Sequence, residues 1–255
     1  MTNISPEKAV PFLTHIHTKP DVDADDGMFP MSLPFARDLD LRFEQKVTFF
    51  VGENGSGKST LLEAIADLCG LPVGGGGKNE IADLQTFQTR SELAPFLRAG
   101  FRNRPQNGYF FRAEFQPYFA TLLEERRADP DFRGDPYARY GGQSLHTRSH
   151  GEAFFAMFSA WMAPGIILMD EPEAALSPQR QLALLAQMAK LTRNEAVQFV
   201  IATHSPILLT FPGAALLSFE SGRIEHTRLE DTTHYRITRG ILENPDRYWR
   251  HLNED

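Results

Sequence analysis

The chain has 255 residues, of which 42% are hydrophobic and 23% are charged, and its formal net charge is −7. This composition is that of an ordinary globular protein and excludes collagen-like and wholly disordered chains. The longest apolar stretch, residues 158–169, is interrupted by a proline and ends at two acids, so it is too short and too acidic to span a bilayer. With one cysteine, Cys69, and no signal-peptide core at residues 1–10, the sequence predicts a soluble cytoplasmic protein without membrane insertion.

Positive charge is concentrated in one segment of the chain. Residues 90–148 contain ten arginines, no lysine and seven acidic residues, whereas the remainder is strongly acidic. Arginine without lysine suits bidentate recognition of anions such as phosphates. A docking face for nucleic acid and a solvated helical surface are both compatible with this pattern.

The first third of the chain predicts three strands and a helix. The third strand is apolar and β-branched throughout, which is typical of a strand buried on both faces. The helix ends at Gly70, with Pro72 as its stop, and the four glycines at 74–77 predict a mobile linker or turn. The predicted strands are 13–18, 39–43 and 47–51, and the predicted helix is 58–69.

Residues 78–162 differ from the rest of the chain in composition and pattern. They contain many arginines and short stretches of helical periodicity, which proline and glycine interrupt. They predict a helical sub-domain inserted into an α/β core formed by residues 1–77 and 163–255. In the second part of the core, two short apolar strands flank a helix, which predicts a right-handed parallel crossover. These elements and those that end the chain are strands at 166–169 and 198–202, a helix at 178–193, two antiparallel strands within 214–229 and a short helix at 245–252.

The strongest motif is a glycine-rich loop between the third predicted strand and the first helix. It fits the pattern G-x-x-x-x-G-K-[ST], in which glycines allow close backbone approach and successive N–H groups form a cradle for an anion. Lys58 is expected to reach the β- and γ-phosphates, and the Ser59 hydroxyl to ligate Mg²⁺. The predicted nucleotide-binding residues are Gly52, Glu53, Asn54, Gly55, Ser56, Gly57, Lys58, Ser59 and Thr60.

Two carboxylates follow the strand at 166–169. Ligands of open α/β sheets bind at the carboxyl ends of the strands, so Asp170 is expected to hold Mg²⁺ through water. Glu171 is expected to act as the general base that polarises the attacking water. An acidic pair that caps the next helix is the alternative.

A further strand, at 198–202, ends in Thr203-His204-Ser205. Parallel strands bring their carboxyl ends to one edge, so His204 is expected to lie near Lys58 and Glu171. There it would hydrogen-bond the γ-phosphate or the attacking water. A structural histidine with satisfied hydrogen bonds is the alternative.

The fourth motif, Ser149-His150-Gly151-Glu152, opens a helix predicted to run to Trp161. Ser149 with Glu152 three residues later is a capping box. A serine-capped helix N-terminus is also an anion site, and it would be able to bind the phosphate of a nucleotide held by another subunit.

In this order, the phosphate loop, Ser-x-Gly-Glu, Asp-Glu-Pro-Glu and Thr-His-Ser resemble the motifs of the ABC-type ATPase superfamily, which includes transporter ATPases and the repair ATPases of the SMC and RecF kind. The resemblance implies an ATP-dependent homodimer that uses ATP and Mg²⁺. It implies that Glu171 is the catalytic carboxylate and His204 the switch histidine. Residues 174–177 fall where the D-loop lies, with Ser177 in place of the usual aspartate. The resemblance also implies a signature motif that contacts the partner's γ-phosphate, formed here by Ser149, Gly151 and Glu152.

More narrowly, the whole chain is similar to a group of small stand-alone bacterial ATPases of the AAA and ABC-like kind. The stretches that carry this similarity are Val51-Gly52-Glu53-Asn54, Tyr109-Phe110-Phe111-Arg112-Ala113-Glu114 and Glu243-Asn244-Pro245-Asp246-Arg247-Tyr248.

Two departures from the transporter pattern weaken the case for a transporter's coupling apparatus. Arg148 and His150 stand where transporter ATPases usually have leucine and glycine. No residue is clearly identified as the Q-loop glutamine of transporter ATPases. Arg112 and Glu114 follow the strand predicted at 109–111, and Gln116 stands two residues further on. Glu114 is a candidate ligand of the metal or of its water, and Arg112 is a candidate phosphate contact. An ion pair between these two residues is the alternative.

These observations predict an α/β fold: a P-loop NTPase with a mixed, mainly parallel central sheet, an antiparallel β flank and an inserted helical sub-domain. The expected function is ATP binding and hydrolysis by a dimer that acts as a mechanical switch, with nucleic-acid repair or defence as the main hypothesis. The alternatives are the ATP-driving subunit of an ABC transporter and an ATP-gated interaction module that hydrolyses little. The expected partners are a second copy of the chain and either nucleic acid or another protein.

Overall fold

The computed structural model describes residues 10–20, 27–78, 90–113, 115–161 and 163–252. Within these ranges, no helix is both long enough and apolar enough to cross a membrane. The strands are β1 Leu13–Thr18, β2 Asp40–Arg42, β3 Val47–Val51, β4 Gly76–Gly77, β5 Leu97–Phe101, β6 Asn107–Arg112, β7 Gly165–Asp170, β8 Val197–Ala202, β9 Ala215–Ser218 and β10 Glu225–Thr227. The helices are α1 Lys58–Cys69, α2 Phe115–Ala128, α3 His150–Ala160, α4 Pro178–Asn194, α5 Thr233–Glu243 and α6 Pro245–Leu252.

The strands form two sheets. In the described residues, the central sheet has seven strands in the order β10-β9-β3-β8-β7-β6-β4, with parallel pairing from β9 to β6 and antiparallel pairing at both edges. The smaller sheet has the order β2-β1-β5 and is antiparallel. The predicted α/β fold, with its mixed central sheet and antiparallel flank, is therefore confirmed.

The central sheet is buried on both faces. Every residue of β3, β7 and β8 is buried, and successive residues of β3 point into different hydrophobic clusters. Phe49 packs in the cluster that contains Phe154 of α3, and Phe50 packs in the cluster that contains Leu61 of α1. Helices therefore cover the sheet on both sides, which is why its strands are continuous apolar runs.

The segment 78–162 is less helical than the sequence predicts. Strand β5 pairs with β1 in the smaller sheet, and β6 lies between β7 and β4 in the central sheet. The apolar residues 109–111 are buried like those of the other central strands, so β6 joins the core. In the described part of this segment, the first α-helix begins at Phe115.

The glycines at 74–77, predicted to form a mobile linker or a turn, form a turn that leads into a short strand, so only the linker interpretation is wrong. Gly76 and Gly77 form β4, which pairs with β6 and is buried. A Cβ atom on Gly77 would lie 3.1 Å from the ring of Trp161, so the absent side chain makes room for that indole. Helix α5 was also missed, although Thr232 caps its N-terminus by accepting a hydrogen bond from the Tyr235 amide.

One buried side chain links the two sheets. The Gln198 side chain in β8 accepts a hydrogen bond from the Leu13 amide at 2.9 Å and donates one to the Leu13 carbonyl at 3.0 Å. Gln198 has no exposed surface, so no water competes for these backbone groups. The amide side chain therefore joins β1 of the smaller sheet to the centre of the larger one.

Replacing Gln198 by Leu should destabilise the protein. The Leu13 N–H and C=O would be buried without partners, which costs about 2 to 4 kcal/mol in the free energy of unfolding. Urea unfolding measures this change, and Gln179→Leu, at an exposed position on α4, is the matched control with an expected effect of about 0.5 kcal/mol or less. Equal stability of the two variants would contradict a linking role for Gln198.

Candidate active site

Three adjacent parallel strands end at the same edge of the central sheet. The register pairs Asp170 of β7 with Ala202 of β8, and Ala202 with Phe50 of β3. The phosphate loop, the two carboxylates and His204 follow these strand ends. The structure therefore brings together the motifs that the sequence placed on separate strands.

The phosphate loop wraps around the ammonium group of Lys58. The Lys58 Nζ atom donates hydrogen bonds to the carbonyl oxygens of Gly52 at 2.7 Å and Glu53 at 2.8 Å. Gly57 has φ 91°, and a Cβ atom there would lie 2.6 Å from the Phe35 ring, so only glycine fits before α1. Burial lowers the pKa of Lys58, while the carboxylates of the site oppose this shift.

The Ser59 hydroxyl at the start of α1 meets the end of β7. Its Oγ atom donates to the Oδ1 atom of Asp170 at 3.0 Å. Burial raises the pKa of Asp170 to about 6, because the loss of water around the carboxylate outweighs the opposing effects of Arg112 and Ser59.

These residues fit a magnesium ion bound with a nucleotide. A cavity of about 130 Å³ is lined by Ser59, Arg112, Ala113, Asp170 and Glu171. Mg²⁺ is usually held by one or two oxygen side chains together with waters and the phosphates of its substrate. The hydroxyl of Ser59 and the carboxylate of Asp170 supply such oxygens at this cavity.

Arg112 pairs with two acidic residues that the sequence did not indicate as its partners. Its Nη1 atom lies 2.8 Å from Glu63 Oε1 of α1, and its Nη2 atom lies 3.6 Å from Asp170 Oδ2. Glu114, the other predicted member of this region, lies outside the described residues. Arg112 therefore places one positive charge between two carboxylates beside the cavity.

Glu171 occupies an unusual backbone conformation. Its φ of 47° and ψ of 54° lie in the left-handed region, where no other non-glycine residue of the described chain is found. Its amide donates to the Ala202 carbonyl at 2.9 Å, which ties it to the neighbouring strand. Such strain is typical of functional sites, and here it directs a side chain that is 45% exposed to the edge of the cavity.

His204 contacts Glu171 and a residue that no motif indicated. Its Nε2 atom lies 3.3 Å from Glu171 Oε1, and its Nδ1 atom shares a 2.8 Å hydrogen bond with Nε2 of His234. Its backbone amide donates to the Glu173 carboxylate. His234 stands on α5, 30 residues further along the chain, so the only signal for it is the tertiary contact.

The signature-like motif forms the predicted capping box at the start of α3. The Ser149 side chain accepts from the Glu152 amide, and the Glu152 side chain accepts from the Ser149 amide at 2.9 Å. Arg180 of α4 packs on Gly151 and lies 3.7 Å from the Glu152 carboxylate. Ser149 and Glu152 are exposed, and within the described residues their hydrogen bonds join them to each other and not to the phosphate loop.

Gln116 does not line the cavity formed by Ser59 and Asp170. It is buried in the first turn of α2, its Oε1 atom has no hydrogen-bond partner, and it lines a separate cavity of about 120 Å³ with residues that precede and begin α3. Arg112 lines the cavity beside Asp170 in its place.

Comparisons with known proteins agree with this geometry. Residues 31–117 match a family model described as an AAA domain, and residues 151–210 match a second AAA-domain model whose description also names the AbiEii toxin and type IV toxin–antitoxin systems. The hemin import ATP-binding protein HmuV of Rhodopseudomonas palustris is 29% identical over 188 residues, which cover 68% of this chain and 70% of that protein. The biotin transport ATP-binding protein BioM of Rhodobacter capsulatus is 29% identical over 199 residues, covering 74% and 81% respectively.

A solved structure shares the fold. The ATP-binding cassette MJ1267 of an ABC transporter superposes with a TM-score of 0.53 at 16% identity, over 92% of this chain and 96% of that one. The chain therefore has the fold of an ATP-binding cassette, and its sequence is similar to AAA-domain models and to transport ATP-binding proteins. It is an ATP-binding protein with ATP hydrolase activity.

Replacing Arg112 by Met should destabilise the nucleotide-free protein. Glu63 and Asp170 would lose a shared cation at a poorly hydrated place, which costs about 1 to 3 kcal/mol. Glu63→Leu in the Arg112→Met background should recover part of that loss, because both members of one pair are then absent. A double-mutant cycle from urea unfolding measures the coupling, and additive effects of the two changes would contradict it.

Proposed function

We propose that two copies of this chain close around two ATP–Mg²⁺ and that hydrolysis separates them, so that the dimer works as a mechanical switch. The convergence of Ser59 with Asp170, and of Glu171 with His204, at one sheet edge carries this proposal. An exposed helix N-terminus at Ser149 supports it, since such an end attracts the phosphate of a nucleotide held by a partner.

Each residue of the edge has a distinct role in this proposal. The Lys58 ammonium exchanges the carbonyls of its own loop for β- and γ-phosphate oxygens, and Ser59 and Asp170 hold the metal. Mg²⁺, when bound, neutralises charge on the phosphates as the bond to the γ-phosphate breaks. Glu171 accepts a hydrogen bond from the attacking water and then its proton, while His204 holds the water or the γ-phosphate. Glu114 is a further proposed metal ligand.

The dimer would complete each site with α3 of the other copy. Ser149 and Glu152 stand at the exposed end of α3, Gly151 is buried beneath Arg180, and the Arg180 charge lies beside them. In this proposal, a phosphate of the partner's nucleotide replaces the Glu152 carboxylate as the acceptor for the Ser149 amide and hydroxyl. We propose that α2 and α3 form the sub-domain that carries this end towards the partner's nucleotide.

Glu171→Gln should abolish turnover, keep ATP binding and accumulate an ATP-bound dimer, because the amide cannot take the proton of the water. Adding Ser149→Arg to this variant should return it to a monomer that still binds ATP, since the bulky cation blocks only the surface that faces the partner. Ser221→Arg, on an exposed turn, is the matched control.

Turnover by phosphate release, ATP binding by calorimetry and mass by light scattering separate these effects. Unchanged turnover in Glu171→Gln would remove Glu171 as the base. A dimer that persists with Ser149→Arg would overturn the proposed role of α3.

We infer that the partner driven by this switch is a membrane transport component, which was the alternative rather than the main hypothesis from the sequence. HmuV and BioM, which this chain resembles over most of its length, are transport ATP-binding proteins by name. Arg102, Arg104, Arg126 and Arg127, which are among the ten arginines in residues 90–148, make contacts within the chain. Arg102 donates to the Val10 carbonyl, and three others lie over aromatic rings: Arg104 over Phe101 at 5.0 Å, Arg126 over Phe132 at 6.0 Å and Arg127 over Tyr137 at 5.5 Å.

The transport proposal predicts that DNA and RNA leave turnover of the purified chain unchanged, and that the chain in native cells sediments with membranes. Replacing Arg102, Arg104, Arg126 and Arg127 together by Gln should not alter turnover in the presence of either polymer. Stimulation by nucleic acid, with an affinity that falls steeply with salt and weakens in the fourfold variant, would replace the transport proposal with the repair or defence hypothesis.

A further inference from the structure

His204 lies between two side chains that use different nitrogens of its ring. Its Nε2 atom faces the Glu171 carboxylate at 3.3 Å, and its Nδ1 atom faces Nε2 of His234 at 2.8 Å. The two imidazole centroids are 4.7 Å apart with an interplanar angle of 60°. His234 therefore contacts His204 on the side away from the proposed attacking water.

A hydrogen bond between two imidazoles needs one N–H and one lone pair. If Nδ1 of His204 donates, Nε2 of His234 accepts and the His234 proton must lie on Nδ1. That Nδ1 atom is buried and has no hydrogen-bond partner. A buried N–H without an acceptor is rarer and more costly than a buried lone pair without a donor. Nε2 of His204 also makes no hydrogen bond, but the Glu171 carboxylate 3.3 Å away is an acceptor for a proton there, whereas Nδ1 of His234 has no such acceptor. The proton of His234 therefore belongs on Nε2.

His234 is held in this position by the start of α5. Thr232 caps the helix, and the Thr233 hydroxyl donates to Glu220, just after β9, at 3.0 Å. Burial and the neighbouring His204 ring lower the pKa of His234, which favours the neutral ring over opposing effects of Glu53 and Glu220. A neutral ring has one proton, so the assignment of that proton decides the tautomer of its partner.

We propose that His234 is a positioning residue whose Nε2–H donates to Nδ1 of His204 and holds His204 in the tautomer that carries its proton on Nε2, facing Glu171. The consequence for hydrolysis rests on the proposed function, whereas the tautomer does not. In that function, the Nε2–H of His204 donates to the γ-phosphate or to the water oxygen. The other tautomer would direct a lone pair at the Glu171 carboxylate and the γ-phosphate, whose oxygen atoms only accept hydrogen bonds.

Two variants of His234 distinguish a role in positioning His204 from a role in packing alone. His234→Phe keeps a ring and removes the donor, and we expect kcat to fall about tenfold or more while the Kd for ATP stays within about twofold. His234→Gln restores an N–H near the same place and should recover much of kcat. His226→Phe, at an exposed position on β10, is the control and should leave kcat unchanged. Wild-type kcat in His234→Phe, or no rescue by Gln, would overturn the proposal.

The tautomer is measured directly by ¹⁵N NMR of histidine-labelled full-length protein without nucleotide. We expect protonated Nε2 and unprotonated Nδ1 at His204 in the wild type, and loss of this single state in His234→Phe. A proton on Nδ1 of His204 in the wild type would overturn the assignment even if a variant fails to fold. A wild type with the expected tautomer and no ATP turnover would refute the proposed function and leave the role of His234 in place.

Discussion

Parallel pairing of strands that are buried on both faces is the constraint on which the rest of this structure depends. Because β3, β7 and β8 run side by side in one direction, whatever follows their carboxyl ends must meet at one edge. Helices on both faces prevent ligands from reaching the middle of the sheet, so that edge is where polar groups gather. The contacts of Ser59 with Asp170 and of Glu171 with His204 are consequences of this arrangement.

The residues at this edge of the sheet lower the stability of the nucleotide-free protein. Asp170 is buried with a raised pKa, Lys58 is buried with a lowered one, and Glu171 lies in a strained backbone region. Arg112 relieves part of this cost, because its positive charge lies 3.6 Å from Asp170, whereas the negative charge of Glu63 adds to it. Charges that are poorly hydrated and already oriented interact strongly with an incoming phosphate, so the same features that lower stability favour chemistry.

Much of the fold was predictable because its signals are local. The run Val47–Val51 and the residues that follow it predict a buried strand, an anion-binding loop and a helix. The structure has the strand and the helix at the predicted bounds. Ser177 before Pro178 predicted the start of α4 in the same way. The glycines at 74–77 predicted a linker or a turn but not strand β4. A linker and an edge strand that packs against Trp161 are both compatible with residues that lack a side chain, so glycine does not distinguish them.

The sequence by itself determined the class of site. A phosphate loop, a capping box and a strand that ends in two acids each have a fixed order and spacing of residues. That order and spacing depend on backbone geometry, which neighbouring residues in the chain define. Tertiary structure alone decided the partners of these residues. The pairing of Arg112 with Glu63, the packing of Arg180 on Gly151 and the contact of His234 with His204 all join elements that are distant in the chain. Such contacts depend on how whole helices and strands pack, and no local pattern of residue types records that packing.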